Sequence, residues 1–262
     1  MSNERRQHDP EDLKRIKALR LIDDDFMSIF FNGYIEGAEL LLKIILGRDD
    51  IKVTEVRTQK QMNNLQGRSI WLDIFAVDGT GSKYDVEIQR ASNGACPKRA
   101  RYHSSMIDAN MLKEGENFEE LRENYVIFIT EKDALKLNKP ICHIERVITE
   151  KNIQFNDGEH IIYVNGAFRS KNTALGRLMS DFFCTDAKDM CYKELSGRVR
   201  QYKETEKGVD SMCEIWDEVR NEARIEIAKK MINDGTLPLE KISEYSGLTL
   251  DKVRELAGDK SA

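Results

Sequence analysis

The chain has 262 residues and a mass of 30.2 kDa, a length that suggests one large domain, or one domain with an appendage. With 40% hydrophobic and 33% charged residues, it can bury a core and is too apolar to be wholly disordered. Its net charge of −5 argues against a surface coated for nucleic acid, and no apolar run approaches the ~20 residues of a membrane span.

The N-terminal residues and the cysteines both bear on location. Residues 1–20 are polar and include acids, which predicts neither a signal peptide nor a transit peptide. The five cysteines are scattered and contain no Cys-x-x-Cys pair, which predicts neither a disulfide framework nor a zinc site. We therefore expect a cytoplasmic protein.

The first half of the chain predicts alternating helices and strands. After a charged segment at residues 1–22, apolar residues spaced by three or four predict a helix over Phe26–Leu46 that stops at Gly47. Three strand-like segments follow, the last two of which flank a glycine-rich turn: Ile51–Thr58, Ile70–Val77 and Lys83–Gln89. Pro97 then suits the first turn of a helix that runs to about Lys113. Tyr125–Thr130 is a continuous apolar run, typical of a strand buried on both faces.

This order of elements (helix, three strands, helix, strand) predicts an α/β fold with a mixed sheet flanked by helices. We expect Ile141–Ile148 and His160–Val164 to extend the sheet or to form a flap. Beyond Ser170 the pattern turns helical, which predicts a helical C-terminal extension. The predicted divisions are a charged segment, an α/β domain, a helical extension and a small helix-turn-helix-like module: residues 1–22, 23–170, 171–234 and 235–262.

The C-terminal third leaves alternatives open. Along one predicted helix, apolar residues form a seam over two heptads: Val209, Met212, Trp216, Val219 and Ala223. Packing on the chain's own core is favoured, because sustained heptads usually run longer, and a homo-oligomer formed through these helices is the alternative. Leu239–Ala257 resembles a helix–turn–helix, but Glu194–Ala262 holds 12 basic and 15 acidic residues. A small interaction or capping module is therefore favoured over a DNA reader.

Two acids on the predicted hairpin point to metal chemistry. A hairpin symmetric about Thr80 places Asp73 directly opposite Glu87. Directly paired side chains have Cβ atoms ~4.5–5.5 Å apart, where like charges are destabilising. A hard divalent cation such as Mg²⁺, typically held by one or two carboxylates and several waters, would explain this pair. The alternative is an asymmetric loop, or a solvated strand edge on which both acids are exposed.

These residues resemble a known family. Asp73, the hairpin and Glu87-Ile88-Gln89 are similar to the core of the PD-(D/E)xK nuclease superfamily, and most similar to its nuclease family transposases and recombination-promoting nucleases. Other stretches share the resemblance: Asp23-Asp24-Asp25-Phe26-Met27, Glu87-Ile88-Gln89-Arg90, Arg99-Ala100-Arg101-Tyr102-His103 and Tyr125–Thr130. The resemblance covers roughly Asp23 to Arg169 and implies a restriction-endonuclease-like core with the order of elements given above.

The resemblance also implies a function, namely metal-dependent hydrolysis of DNA phosphodiester bonds with Mg²⁺ or Mn²⁺, associated with transposition or recombination. Asp73 and Glu87 would ligate the metal, with the main-chain carbonyl of Ile88 as a further ligand. The third residue of the motif, usually Lys, polarises the attacking water. Here it is Gln89, which can orient water but offers no positive charge. Glu39 in the first helix is a further metal-ligand candidate, since related nucleases often place an acid there.

A window without acids lies just after the motif. From Ile88 to Ile107 there is no Asp or Glu, although about 3.5 would be expected at the chain's average frequency. Phosphate contacts position DNA without reading its sequence, and this window supplies the candidate contacts: Lys98, Arg99, Arg101 and Tyr102. The alternative is that Arg101 and Tyr102 pack over the sheet with their polar ends in water. We expect His103 to be a hydrogen-bonded structural histidine.

Two hypotheses about function follow. The set Asp73, Glu87 and Gln89 favours a metal-dependent endonuclease. The missing lysine and the acidic balance favour a catalytically weak or inactive nuclease-fold module that binds DNA or protein. DNA is the expected partner of the enzyme, and no membrane association is expected.

Overall fold

The computed structural model describes residues 8–64 and 66–258. They form two compact units, one of which is Lys17–Arg200. In the other, the described residues up to Ile16 join those from Gln201 onward. None of the helices in these ranges has the length and apolar character needed to cross a membrane.

Three helices precede the first strand: α1 (Pro10–Ala18), α2 (Asp24–Phe31) and α3 (Ile35–Leu46). The sequence predicted one continuous helix over Phe26–Leu46, and the structure has two. Gly33 separates them with a φ of 66°, a left-handed conformation that ends a helix and that glycine adopts without steric cost. Gly47 ends α3 as predicted, and its N–H donates to the carbonyl of Lys43.

A six-stranded mixed sheet forms the centre of the larger unit. Its strands are β1 (Val53–Met62), β2 (Ile70–Asp78), β3 (Lys83–Gln89), β4 (Asn124–Thr130), β5 (Ile141–Ile144) and β8 (Glu159–Asn165). Across the sheet they lie in the order β1-β2-β3-β4-β8-β5. Strands β3, β4 and β8 run parallel, and the other neighbours are antiparallel. Two short strands, β6 (Val147–Ile148) and β7 (Ile153–Gln154), pair only with each other among the described residues. The predicted mixed α/β fold is confirmed.

The β2–β3 hairpin has the register predicted from its sequence. Phe75 pairs with Asp85 and Val77 with Lys83, so the hairpin is symmetric about Thr80. The loop is held by Asp78, whose Oδ1 accepts hydrogen bonds from the backbone N–H groups of residues 80 and 82 at 2.9 and 3.1 Å. The same symmetry brings Asp73 to the level of Glu87 just beyond the last regular pair.

Helices cover the sheet and fix its buried residues. Helices α2 and α3 contact β1, while α4 (Pro97–Ala109) contacts β4 and β8. The buried face of α4 lies against a core that includes Phe75 and Phe128: Ala100, Met106 and Ile107. Proline at the first turn of α4 was predicted, and its fixed φ suits that position. Helix α5 (Ala174–Phe182) follows the sheet and is capped by Thr173, whose hydroxyl accepts from the N–H of Gly176 at 3.0 Å.

The C-terminal region is helical, as predicted. It contains α6 (Lys193–Glu204), α7 (Glu206–Asp234), α8 (Leu239–Ser246) and α9 (Leu250–Gly258). A small core joins the last three helices: Ala228, Ile242, Leu248, Val253 and Leu256. Along the predicted seam of α7, Trp216 is buried whereas Val219 is 58% exposed. The finer division of this region at residues 171–234 and 235–262 stays a prediction.

Candidate active site

Two carboxylates face each other at the end of the β2–β3 ladder. The backbone N–H of Asp73 donates to Oε1 of Glu87 at 3.1 Å. In return, the backbone N–H of Ile88 donates to Oδ2 of Asp73 at 2.9 Å. Glu87 is completely buried and Asp73 is partly buried. Each carboxylate is therefore oriented by the backbone of the opposite strand, in the facing arrangement that the hairpin symmetry predicts.

The backbone N–H and C=O groups of Ile88 and Gln89 face opposite neighbouring strands. The N–H of Ile88 faces β2, and because the N–H and C=O of one residue in a strand point to the same neighbour, its carbonyl faces β2 as well. The carbonyl of Gln89 instead accepts from the N–H of Glu131 at 3.1 Å. The side chain of Gln89 lies against Gly94, where an added Cβ would collide with Oε1. The glycine therefore leaves the room that the Gln89 amide occupies.

A third acid and a histidine lie beside the pair. Asp85 is completely buried, and His103 of α4 is 3% exposed. Nδ1 of His103 lies 2.8 Å from Oδ2 of Asp85 and 3.8 Å from Oε1 of Glu87. The other oxygen of Asp85, Oδ1, is buried without a hydrogen-bond partner in the described part of the chain. The hydrogen bond expected for His103 is thus present, whereas sequence reasoning gave Asp85 no role although strand alternation places it on the face of Glu87.

Arg99 links the histidine to Glu87. Its Nη2 donates to Oε2 of Glu87, its Nε donates to Nε2 of His103 at 3.3 Å, and its Nη1 donates to the carbonyl of Gly94 at 3.1 Å. Because Nε2 of His103 accepts here, we assign its proton to Nδ1, which donates to Asp85. The result is a continuous chain of side-chain hydrogen bonds from Asp85 through His103 and Arg99 to Glu87.

Burial and mutual repulsion shift the pKa values of these groups. Burial raises the pKa of Glu87 to about 9, and the negative charges of Asp85 and Asp73 act in the same direction. Burial likewise raises the pKa of Asp73 to about 6, and that of Asp85 well above its usual value. Burial lowers the pKa of His103, which favours the neutral ring. With only the charge of Arg99 beside three carboxyl groups, the cluster holds protons in the absence of a cation, and a bound divalent cation would favour the ionised carboxylates.

The residues present fit a divalent cation. Oxygen donors from Asp73, Glu87 and the carbonyl of Ile88 are of the kind that Mg²⁺ and Mn²⁺ prefer. A second set overlaps the first, because Asp85, Glu87 and His103 place one ligand atom each within 4.8 Å of one another. Its imidazole nitrogen is better suited to a transition metal than to Mg²⁺. Oδ1 of Asp85, buried without a hydrogen-bond partner among the described residues, is the atom that most directly fits a cation or a proton at this place.

Glu39 does not reach this cluster. Its carboxylate accepts from Lys43 at 2.7 Å and from the backbone N–H of Val53 at 3.1 Å. Val53 pairs with Asp78, five residues along β2 from Asp73, or ~17 Å at the rise of a strand. The candidate role of Glu39 as a metal ligand is therefore wrong. An ion pair with the lysine one helical turn further on, rather than a metal, satisfies the partly buried acid.

The N-terminal acid that acts on the pair is Asp24, in the first turn of α2. Its negative charge contributes to the raised pKa of Asp73. Its Oδ1 accepts from Nε2 of Gln59 on β1 at 3.3 Å. Asp24 belongs to the Asp23-Asp24-Asp25 run that contributed to the family resemblance. The sequence therefore pointed to this acidic run, but it did not indicate which of the three acids lies near Asp73.

The four candidate DNA contacts divide into three environments. Lys98 and Arg101 are exposed on α4. Arg99 is turned toward Glu87, as described above. The hydroxyl of Tyr102 donates to the carbonyl of Arg68 at 2.6 Å and accepts from Asn64 at 3.1 Å, so it holds the segment that leads into β2. Tyr102 therefore holds this loop in place. This structural role is similar to the alternative in which Tyr102 packs over the sheet and does not contact DNA.

The six-stranded mixed sheet, its flanking helices and its hairpin-borne acids define the core of a PD-(D/E)XK nuclease. A family model described as PD-(D/E)XK nuclease family transposase matches residues 38–173, just over half of the chain. The chain belongs to this family, which points to a nuclease function connected with transposition. No curated protein and no solved structure matches the chain.

Proposed function

We propose that the protein is a metal-dependent DNA endonuclease that acts in transposition or recombination and hydrolyses phosphodiester bonds with Mg²⁺ or Mn²⁺. The observation that carries the proposal is the reciprocal pair in which Asp73 and Glu87 each accept a hydrogen bond from the opposite strand, in a chain of this nuclease family. Asp73, Glu87 and the carbonyl of Ile88 would hold the ion. A cytoplasmic location, and self-association through the C-terminal helices, belong to the same proposal.

The chain's own residues would share the chemistry as follows. A bound divalent ion lowers the pKa of a water molecule and stabilises charge on the phosphate. The amide of Gln89, positioned against Gly94, would orient the attacking water through its oxygen or its NH₂ group. Because this amide is neutral, Arg99 would supply the positive charge near the phosphate that lysine supplies in most of the superfamily.

A catalytically weak or inactive nuclease-fold module that binds DNA or protein is the second candidate. The specific observation in its favour is Gln89 at the position of the usual lysine. Such a module would bind DNA through the same basic window without hydrolysing it. Both candidate functions therefore predict DNA binding, but only the endonuclease predicts DNA cleavage.

Conversion of supercoiled plasmid to relaxed and linear forms tests the proposal. We expect wild-type protein to convert plasmid in Mg²⁺ or Mn²⁺ and to stop in EDTA, and Glu87→Gln to be inactive in both metals. Glu114→Gln, at an exposed acid, is the matched control and should behave as wild type. Wild-type protein that retards DNA in a gel but converts none in either metal would favour the binding module.

A further inference from the structure

A groove of about 760 Å³ opens beside the candidate active site. Residues 68–71, which lead into β2, line it together with the first turns of α4. Arg99 and His103 belong to both the groove and the acid cluster, so the two are continuous. No acid is among the described residues that line the groove, although 46 of the 262 residues in the chain are Asp or Glu.

The groove offers several positive groups to an anion. Arg68, Lys98 and Arg101 are exposed cations along its length. Helix α4 begins at Pro97, and the start of the helix lines the groove, so the positive end of the helix dipole adds to these charges. This distribution suits a chain of phosphates.

Trp71 adds an aromatic surface to the same groove. Its side chain is 56% exposed, whereas Ile70 and Leu72 on either side are buried. Trp71 precedes Asp73 by two residues, ~7 Å along the strand, and strand alternation places both on one face. An exposed tryptophan next to cations is the combination that holds unpaired nucleotides, with a base stacked on the ring and its phosphates on the cations. Bases in an intact duplex are stacked on each other and present no face to such a ring.

We infer that Trp71 stacks on an unpaired base and that the groove takes a single-stranded segment of DNA next to the scissile phosphate. This inference rests on the proposed nuclease function and specifies its substrate, which would be single-stranded or locally unwound DNA. Trp71 positions the nucleotide and takes no part in the proton or metal chemistry. Arg68, Lys98 and Arg101 hold the phosphates on either side of that nucleotide.

Binding measured in EDTA isolates this contact from cleavage. The probes are a labelled thymidine oligomer and a labelled blunt duplex of the same length, followed by fluorescence anisotropy. Trp71→Ala should weaken binding of the oligomer by at least ~5-fold and binding of the duplex by less than ~2-fold, since base–aromatic stacking is lost only with the oligomer. Trp71→Phe should retain most of the oligomer affinity. Phe118→Ala is the matched control, because Phe118 is 81% exposed and is not among the residues that line the groove.

A second readout reports the ring directly. The chain has two tryptophans, so the Trp216→Phe variant leaves Trp71 as the single tryptophan. We expect its fluorescence to be quenched by the thymidine oligomer and much less by the duplex. Unchanged oligomer affinity in Trp71→Ala, equal losses for both probes, or an unquenched Trp71 would each overturn the inference.

Cleavage assays then separate this inference from the function on which it rests. If the quenching and the selective loss are observed but neither DNA is cut in Mg²⁺, the nuclease proposal fails and the groove assignment stands. If both DNA forms are cut equally well and Trp71→Ala changes neither rate, the nuclease proposal stands and the groove assignment fails.

Discussion

Replacement of Glu87 by Gln should change how the stability of the metal-free protein depends on pH. Burial raises the pKa of Glu87 to about 9 from its usual 4.5, so the folded protein holds a proton that the unfolded chain releases. A group of this kind adds stability that is fully present below its unfolded pKa and is lost as the pH rises toward its folded pKa. Wild-type stability in EDTA should therefore fall through the neutral range. Gln cannot ionise, so Glu87→Gln should lose this part of the fall.

The size of the effect follows from the proton linkage. Between about pH 5 and about pH 8 the unfolded carboxylate is ionised and the folded one is not, and each pH unit costs ~1.4 kcal/mol, or ~4 kcal/mol in total. This is an upper value, because Glu87 titrates together with the facing Asp73, so part of the proton uptake belongs to the pair and not to Glu87 alone. For a protein of this size, ~4 kcal/mol corresponds to a fall in melting temperature of about 8–16 °C.

Thermal unfolding followed by circular dichroism in EDTA, over a series of pH values, measures this difference. We expect the melting temperature of the wild type to fall more steeply than that of Glu87→Gln, with the two curves closest at acid pH. Glu114→Gln should follow the wild type. Added Mg²⁺ should flatten the wild-type curve, because the ion stabilises the ionised carboxylates. A wild-type fall no steeper than that of Glu87→Gln would refute the account of a buried, protonated Glu87.

Three further predictions concern residues near Asp73 and Glu87 and the cations of the groove. Gln89→Lys should keep its affinity for Mg²⁺ in calorimetry, since the amide is proposed to orient water; loss of affinity would identify Gln89 as a ligand. Gly94→Ala should displace the Gln89 side chain and lower the cleavage rate by ~10-fold or more, because a misplaced catalytic group slows the reaction even when the fold survives. The melting temperature should change little. An unchanged cleavage rate would show that Gln89 does not act from this position. Replacing Lys98 and Arg101 together by Ala should reduce the log–log salt slope of thymidine-oligomer binding by ~1.4, or ~0.7 for each phosphate contact on a single strand, measured as isotherms at several salt concentrations. Lys252→Glu should leave that slope unchanged, because its ammonium already pairs with an acid on α9; the reverse result would move the DNA surface to the C-terminal helices.

The fold could be predicted where local pattern decides the structure. The apolar run Tyr125–Thr130 became the fully buried strand β4, and the loop centred on Thr80 set the hairpin register. The break between α2 and α3 was not predicted, because the apolar spacing continues across Gly33 and was given more weight than Asn32-Gly33, which is itself a turn signal. Local signals thus gave the order of elements but not every boundary.

The site could be predicted only as far as the hairpin extends. Asp73 and Glu87 face each other through a short-range register that the sequence contains. The contacts of Asp85, His103 and Arg99 depend on how α4 docks on the sheet, and spacing along the chain carries no information about that docking. For Glu39, the lysine four residues later in the sequence already indicated an ion pair, and the structure contains that pair. The analogy with related nucleases had suggested a metal ligand instead.

The initial rate of plasmid cleavage as a function of Mg²⁺ concentration, for the wild type, Asp73→Asn and Glu39→Gln, decides whether the facing carboxylates form a catalytic metal site. We expect a saturable, EDTA-sensitive rate for the wild type, an equal rate and Mg²⁺ dependence for Glu39→Gln, and no cleavage by Asp73→Asn at any concentration. Cleavage by Asp73→Asn at the wild-type rate, or no cleavage by the wild type of either plasmid or single-stranded DNA at any Mg²⁺ concentration, would contradict the metal site.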